Sequence, residues 1–78
     1  MPTVYIIGSY RFYFNSREEK RRHIHIVTPE GIAKFWLEPL VSLDIFHNLS
    51  QSELYTIESI IKEKHHEFIE AWNRHFGI

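Results

Sequence analysis

The stretch His23–Leu37, HIHIVTPEGIAKFWL, has the pattern of two β-strands joined by a tight turn. Polar and apolar side chains alternate in HIHIV, as expected for a strand with two unlike faces. Pro29 and Gly31 fit the second and fourth positions of a four-residue turn. A hairpin with this turn predicts the cross-strand pairs Val27 with Ile32, His25 with Lys34, and His23 with Trp36.

The segment before this hairpin predicts a second one. TVYII and YRFYF flank Gly8-Ser9, and glycine at the first position of a two-residue loop favours a type II′ turn. The predicted pairs are Ile7 with Tyr10, Tyr5 with Phe12, and Val4 with Tyr13. The charged run NSREEKRR, residues 15–22, then reads as an exposed connection between the two hairpins.

The segment after Leu37 predicts helix. Residues 40–48, LVSLDIFHN, read as a short helical turn or a packed connection. Ser50 and Glu53 fit a capping box, and apolar residues then recur at helical spacing from about residue 51 to residue 76. The apolar stripe weakens at residues 64–66, where so long a helix could bend or overhang the sheet.

Together these elements predict one small α+β domain over residues 1–78. It consists of a four-stranded, mainly antiparallel sheet of two β-hairpins, with a long C-terminal helix packed on one face. A chain of 78 residues has no room for a second core.

Composition excludes several classes of function. The chain has no cysteine, so disulfides and thiolate metal sites are ruled out. The formal charge is −1, so any nucleic-acid binding would depend on a local basic patch. No apolar run is long enough to span a membrane and no charged leader precedes one, so a cytoplasmic location is the expectation.

Alternation sorts the strand residues onto two faces of the sheet. One face is apolar and should pack on the helix. The other carries Arg11, Tyr13, His23, His25, Lys34 and Trp36. In the four-stranded register this second face contains no carboxylate.

Three chemical uses suit such a face. Arg11 and Lys34 could bind an anion such as phosphate, and Tyr13 and Trp36 could stack on a base. The two histidines could act as general acid and base, as metal-independent cleavage of RNA requires. Nearby Arg17, Lys20, Arg21 and Arg22 would strengthen the positive field. The alternative is an ordinary solvated sheet face, with Tyr13 and Trp36 as cross-strand partners.

Two histidines at alternate strand positions could also bind a metal ion. Zinc needs at least a third protein ligand, and this face supplies none. One of the other four histidines, His47, His65, His66 and His75, would have to fold back or come from another chain. We therefore assign no metal ligands and predict no cofactor.

Several segments resemble the family called domain of unknown function 4160, which comprises small proteins of bacteria and archaea. They are MPTVYIIGSYRFYFNS, HIHIV, AKFWLEPL, LSQSELYTIESII and EAWNRHFGI, in this order and over nearly the whole chain. One departure is Arg21-Arg22, where the family usually has proline before the first histidine. The resemblance implies a protein partner and an RNA target, because some members are labelled toxin–antitoxin components.

The leading hypothesis is a component of a small prokaryotic toxin–antitoxin-like module that binds or cleaves RNA as a metal-independent ribonuclease. In it His23 and His25 are the acid/base candidates, and a cognate antitoxin-like protein is the partner. Two alternatives stay open. One is a non-enzymatic module that binds another protein or a second copy of itself, and the other is a histidine-based metal-binding protein.

Overall fold

A computed structural model describes residues 3–15 and 20–77 of the chain. Five strands form a single antiparallel sheet in chain order, and two helices follow. The strands are β1 (Thr3–Ile7), β2 (Tyr10–Tyr13), β3 (His23–Val27), β4 (Ile32–Trp36) and β5 (Ser42–His47). The helices are α1 (Gln51–Glu63) and α2 (His65–Phe76). The predicted α+β class is confirmed, but the sheet has five strands and the helix is divided in two.

The register of the β3–β4 hairpin matches the predicted one in all three pairs. In the β1–β2 hairpin, the predicted pairs at Ile7 and Tyr5 are also confirmed. The predicted pair of Val4 with Tyr13 is wrong, because an irregularity between Thr3 and Tyr5 brings Thr3 opposite Tyr13 instead.

The fifth strand is the main correction to the predicted fold. Residues 42–47 pair with β4 along the edge of the sheet. A register shift leaves Asp44 as the extra residue, so that Leu43 pairs with Phe35 while Phe46 pairs with Ala33. Leu43 and Phe46 therefore share the core face although they are three residues apart, which is a helical spacing. The bulge explains why the sequence of this strand suggests a helical turn.

The helical half begins where the capping box predicts. The Ser50 hydroxyl accepts a hydrogen bond from the Glu53 amide (3.1 Å), and the Glu53 carboxylate accepts one from the Ser50 amide (2.9 Å). At Lys64 the backbone leaves the helical region, with φ −100° and ψ 16°. Of the bend and the overhang that the sequence left open at residues 64–66, the structure shows the bend. Next to it, His65 Nε2–H donates to the Leu37 carbonyl at 2.6 Å, which ties the bend to the end of β4.

The core lies between the helices and one face of the sheet. Its central contacts are aromatic, with the Phe12 and Phe68 ring centroids 5.6 Å apart and those of Phe14 and Trp72 5.3 Å apart. The buried apolar side chains are Phe12, Phe14, Ile24, Ile26, Ala33, Phe35, Leu37, Leu49, Ile57, Ile61, Phe68 and Trp72. All seven of these that lie between Phe12 and Leu37 belong to the face predicted to be apolar. Within residues 3–15 and 20–77, neither helix is long and apolar enough to cross a membrane.

Candidate functional site

The six residues predicted on the second face lie together and form a connected set, which we call the cationic–aromatic face (Arg11, Tyr13, His23, His25, Lys34 and Trp36). Side-chain contacts run from β2 through β3 to β4 without a break. Strands β2, β3 and β4 are adjacent, and the confirmed register places His25 between Tyr13 and Lys34. Residues distant in sequence therefore form a single surface.

Tyr13 occupies one end of this surface. Its ring is stacked with the His25 ring, with centroids 5.3 Å apart and an angle of 21° between the planes. The Arg11 guanidinium carbon lies 5.1 Å from the centroid of the same ring. Arg11 also donates to the Thr3 hydroxyl at 3.2 Å, which restrains its side chain. A guanidinium and an imidazole are thus both held against one phenol ring.

Trp36 occupies the other end of this surface, where cationic side chains contact its ring as Arg11 contacts Tyr13. The Arg21 guanidinium carbon lies 4.1 Å from its ring centroid, and Lys34 Nζ lies 4.5 Å away. Arg21 Nε–H also donates to the Glu38 carbonyl at 2.8 Å. The sequence predicts Arg21 only as a contributor to the positive field around this face. The structure makes it a direct neighbour of Trp36, which the sequence could not show because Arg21 precedes the regular part of β3.

His23 lies inside the molecule, since only 1% of its surface is exposed. Its ring centroid is 5.0 Å from that of Trp72, a core residue on α2, and 5.6 Å from that of Trp36. Its Nδ1–H donates to the Arg21 carbonyl at 2.6 Å. The expectation that both histidines sit on a solvated face is therefore wrong for His23, which is packed between the two tryptophans.

His25 is the more accessible histidine of the pair. The Asn15 side-chain amide donates to His25 Nε2 at 3.3 Å, and the ring edge of His23 lies against it with centroids 5.3 Å apart. Asn15 lies two residues after the end of β2 and was not predicted as a site residue. Its signal in the sequence is weak, because it opens the polar connection between the hairpins.

Lys34 is paired with an acidic residue that the four-stranded register left out. Asp44 Oδ2 lies 3.4 Å from Lys34 Nζ. Asp44 is the bulged residue of β5, so it reaches this face only because a fifth strand is present. The expectation of a face without carboxylates is therefore wrong, and the positive charge of Lys34 is partly offset.

A cleft of about 410 Å³ opens beside His25 and Lys34. Its walls are apolar where β5 contributes Ile45 and Phe46, and polar where the cationic–aromatic face begins. The lining residues are Tyr13, Asn15, His25, Ile32, Ala33, Lys34, Ile45, Phe46 and His47. A cavity of this size and mixed character is typical of small-molecule and nucleotide sites.

Arg22 stabilises the fold and is not part of the cationic–aromatic face. It donates to the Glu38 carboxylate through both its backbone amide (3.0 Å) and its guanidinium (3.1 Å), and to the Asn73 side chain at 2.7 Å. These bonds link β3, β4 and α2. The hydrogen bond from the Arg22 backbone amide is the largest cause that holds the pKa of Glu38 below its ordinary value. Burial of the carboxylate opposes it, and the Arg22 side-chain hydrogen bond and the charges of both arginines lower the pKa further.

The other predicted contributors are spread out. Lys20 is exposed, whereas Arg17 lies outside the described residues. His66 pairs with Glu70 on the surface of α2, and His75 stacks on Phe14, so neither reaches the histidine pair. In the part of the chain that the structure describes, no group of three or more histidine, aspartate or glutamate side chains could hold a metal ion.

The described residues thus form a small α+β fold with a five-stranded meander, two helices on one side and a basic, aromatic surface on β2, β3 and β4. It belongs to the family described as Domain of unknown function (DUF4160), whose model matches residues 9–73. This match confirms the predicted family resemblance over most of the chain. The searches of curated proteins and of solved structures gave no match.

Proposed function

We propose that the cationic–aromatic face binds single-stranded RNA, and that the chain is the RNA-binding component of a small toxin–antitoxin-like module. The observation that carries the proposal is the unbroken row of contacts from Arg11 and Tyr13, through the two histidines, to Trp36 and Arg21. Proteins that bind single strands combine cationic groups for the backbone with planar groups for the bases, and this row has a guanidinium at each end and aromatic rings between them.

The contacts indicate which residues of this face would bind phosphates and which would bind bases. Arg11 and Arg21 lie at opposite ends of the row and are the best candidates to bind phosphates several nucleotides apart, since the charge of Lys34 is shared with Asp44. Tyr13 and Trp36 already contact cationic side chains, so a base would stack on a ring or on an adjoining guanidinium plane. The cleft beside His25 then offers room for one nucleotide.

Cleavage is the finer part of the proposal. In RNA cleavage without a metal, a base removes the proton of a 2′-hydroxyl. The oxygen of that 2′-hydroxyl then attacks the adjacent phosphorus, and an acid protonates the departing 5′-oxygen. His25 reaches the cleft and is the residue we assign to this proton transfer. His47 also lines the cleft and is the second candidate, whereas the burial of His23 gives it a positioning role.

Binding is tested with a fluorescein-labelled single-stranded RNA of mixed sequence, followed by anisotropy at two salt concentrations. We expect Tyr13→Ala and Trp36→Ala each to weaken binding by about 5- to 100-fold, as loss of a stacked base does. Tyr55→Ala removes an exposed aromatic ring from α1, on the other layer, and is the matched control. No binding at low salt, or equal losses in the control, would refute the proposal.

Cleavage and membership of a module need separate readouts. A denaturing gel of the same RNA distinguishes binding from cleavage, and intact RNA after prolonged incubation would leave binding alone. The assignment to a toxin–antitoxin-like module stays a prediction that rests on the family resemblance. Expressing the chain alone in a bacterium should slow growth, and unaltered growth would count against that assignment.

A further inference from the structure

Five of the eight exposed large apolar side chains in the described part of the chain lie on or near the β5 edge. All six residues of β5 are exposed, including Ile45 at 64% and Phe46 at 46%. Ile45 pairs with Lys34 and so lies on the cationic–aromatic side, whereas Phe46 pairs with Ala33 on the core side. The strand therefore presents apolar side chains on both faces of the sheet as well as an edge of backbone donors and acceptors.

Protein edge strands usually carry protection against pairing with another strand, in the form of lysine, proline or a bulge. The segment SLDIFH contains neither lysine nor proline. Its bulge lies at Asp44 and affects only the first half of the strand. From Ile45 to His47 the register with β4 is regular, so this half of the edge is shaped to accept another strand.

We propose that the occupant of this edge is a second copy of the same chain, which joins β5 to β5 in an antiparallel, two-fold symmetric dimer. A strand that is apolar on both faces pairs well with another strand that is apolar on both faces. The β5 strand of a second copy has this property because its sequence is identical. Phe46 is the middle residue of the regular half. A two-fold axis beside it would place Phe46 against Phe46 of the second copy and Ile45 against His47 of the second copy.

The exposed apolar area around β5 is consistent with an interface between two copies of the chain. The exposed apolar side chains on and around β5 are Ile32, Leu40, Leu43, Ile45 and Phe46. They lie on both faces of the sheet, and together they expose on the order of several hundred Å², about as much as the largest apolar patches on ordinary monomers. A specific interface buries about 1,200 Å² or more in total. Two such patches with their paired backbones reach the lower end of that range.

Sedimentation velocity over a protein concentration range tests the proposal. The wild-type chain should shift from monomer to dimer as its concentration rises. Ile45→Lys adds the missing edge protection and should weaken dimerisation at least tenfold. Tyr55→Lys also introduces a lysine at an exposed position, on α1, where Tyr55 is 74% exposed, and should leave the dimer intact. Circular dichroism establishes that both variants are folded.

A cross-linking experiment fixes the register. Because the chain has no cysteine, a single introduced thiol gives an unambiguous readout. Phe46→Cys should form an intermolecular disulfide under mild oxidation, since opposed positions in an antiparallel pair have Cβ atoms about 5 Å apart. Ile6→Cys, at an exposed position on the opposite edge strand β1, should cross-link far more slowly.

Three results would overturn the proposal. A wild-type chain that stays monomeric at about 200 μM would exclude the second copy and leave the strand of another protein as the occupant. Equal effects of Ile45→Lys and Tyr55→Lys would show that β5 is not the interface. Faster cross-linking through Ile6→Cys than through Phe46→Cys would move the interface to β1.

Discussion

The rings of His23 and His25 lie edge to face with their centroids 5.3 Å apart, yet only His25 is placed to meet a ligand. His23 is enclosed by Trp36 and Trp72 and hydrogen-bonded to the Arg21 carbonyl. The pair therefore divides its work. His23 fixes the position of its neighbour from inside the molecule, and His25 presents its ring at the cleft.

This division predicts different phenotypes for two alanine variants. His23→Ala removes a buried ring and leaves the Arg21 carbonyl without its donor, so it should lower the free energy of unfolding by about 2–4 kcal/mol. His25→Ala should cost much less stability but weaken RNA binding about tenfold. Urea unfolding and RNA anisotropy measure the two effects.

The exposed His66 provides the control, because His66→Ala removes a histidine far from both sites and should change neither quantity. If His25→Ala destabilised the fold as much as His23→Ala while leaving RNA affinity unchanged, the pair would have only a structural role.

The end of β5 packs so closely on Gly31 that this position has no room for a side chain. The glycine is therefore needed for the packing of β5 as well as for the turn. A Cβ atom at this position would lie 2.1 Å from the His47 carbonyl oxygen and 2.5 Å from that of Asn48. Both obstacles are backbone atoms and cannot rotate away. Gly31→Ala should therefore cost about 2 kcal/mol or more and displace the end of β5, which amide NMR shifts at His47 and Asn48 would report.

Gly8→Ala is the matched control for this prediction. Gly8 has a φ of 58°, but nothing lies within 4 Å of a Cβ added there. It should cost only the roughly 1 kcal/mol of the left-handed conformation and leave the β5 signals in place. A smaller loss for Gly31→Ala than for Gly8→Ala would contradict the close packing of β5 on the turn.

The sequence predicts well wherever alternation is regular and local. The β3–β4 hairpin was predicted in full, because His23–Val27 alternates strictly and the turn residues are unambiguous. The strand Ser42–His47 was missed because its bulge gives Leu43 and Phe46 a helical spacing on a single face. With that strand absent, Asp44 could not be placed beside the cationic residues.

The burial of His23 lay beyond sequence reasoning for a different reason. Strand alternation assigns a side chain to a face, but it does not show which residues from distant parts of the chain approach that side chain. Trp72, which covers His23, is 49 positions further along the chain and arrives only when α2 packs on the sheet. The same applies to the contact of Arg21 with Trp36, since Arg21 lies outside the regular strand.

The position of Asp44 beside Lys34 leads us to expect that neutralising Asp44 improves RNA binding. Its carboxylate lies 3.4 Å from Lys34 Nζ and adds the negative charge that opposes a phosphate on this face. Asp44→Asn should raise RNA affinity by about two- to fivefold at low salt, and the gain should shrink as salt rises. Because the pair is partly exposed, its removal should change stability by less than about 1 kcal/mol.

Anisotropy at 50 and 200 mM salt would measure the Asp44 effect. Glu63→Gln makes a comparable change on the exposed surface of α1 and should leave affinity unaltered. Equal affinity of the Asp44→Asn variant and the wild-type chain at low salt would show that RNA does not contact the Lys34 end of the face.

Glu38 predicts how stability depends on pH. Its pKa in the folded protein lies below the ordinary value of 4.5, chiefly because the Arg22 backbone amide donates to the carboxylate. A carboxyl group with a lowered pKa stabilises the folded state in its ionised form. Its contribution is complete above about pH 4.5 and is lost as the pH falls through the lowered value. Glu38→Gln should therefore be less stable than the wild-type chain at pH 7, and this difference should shrink below pH 4.5.

Urea unfolding at pH 7 and at several values below 4.5 would test this convergence. Glu58→Gln, which breaks the exposed pair with Lys62 on α1, is the control and should cost only a few tenths of a kcal/mol. The Arg22 bonds join β3, β4 and α2 next to Trp36, so acid should also loosen the Arg21 end of the cationic–aromatic face. A stability difference between Glu38→Gln and the wild-type chain that stayed constant down to pH 3 would show that the Arg22–Glu38 contact does not favour the ionised carboxylate.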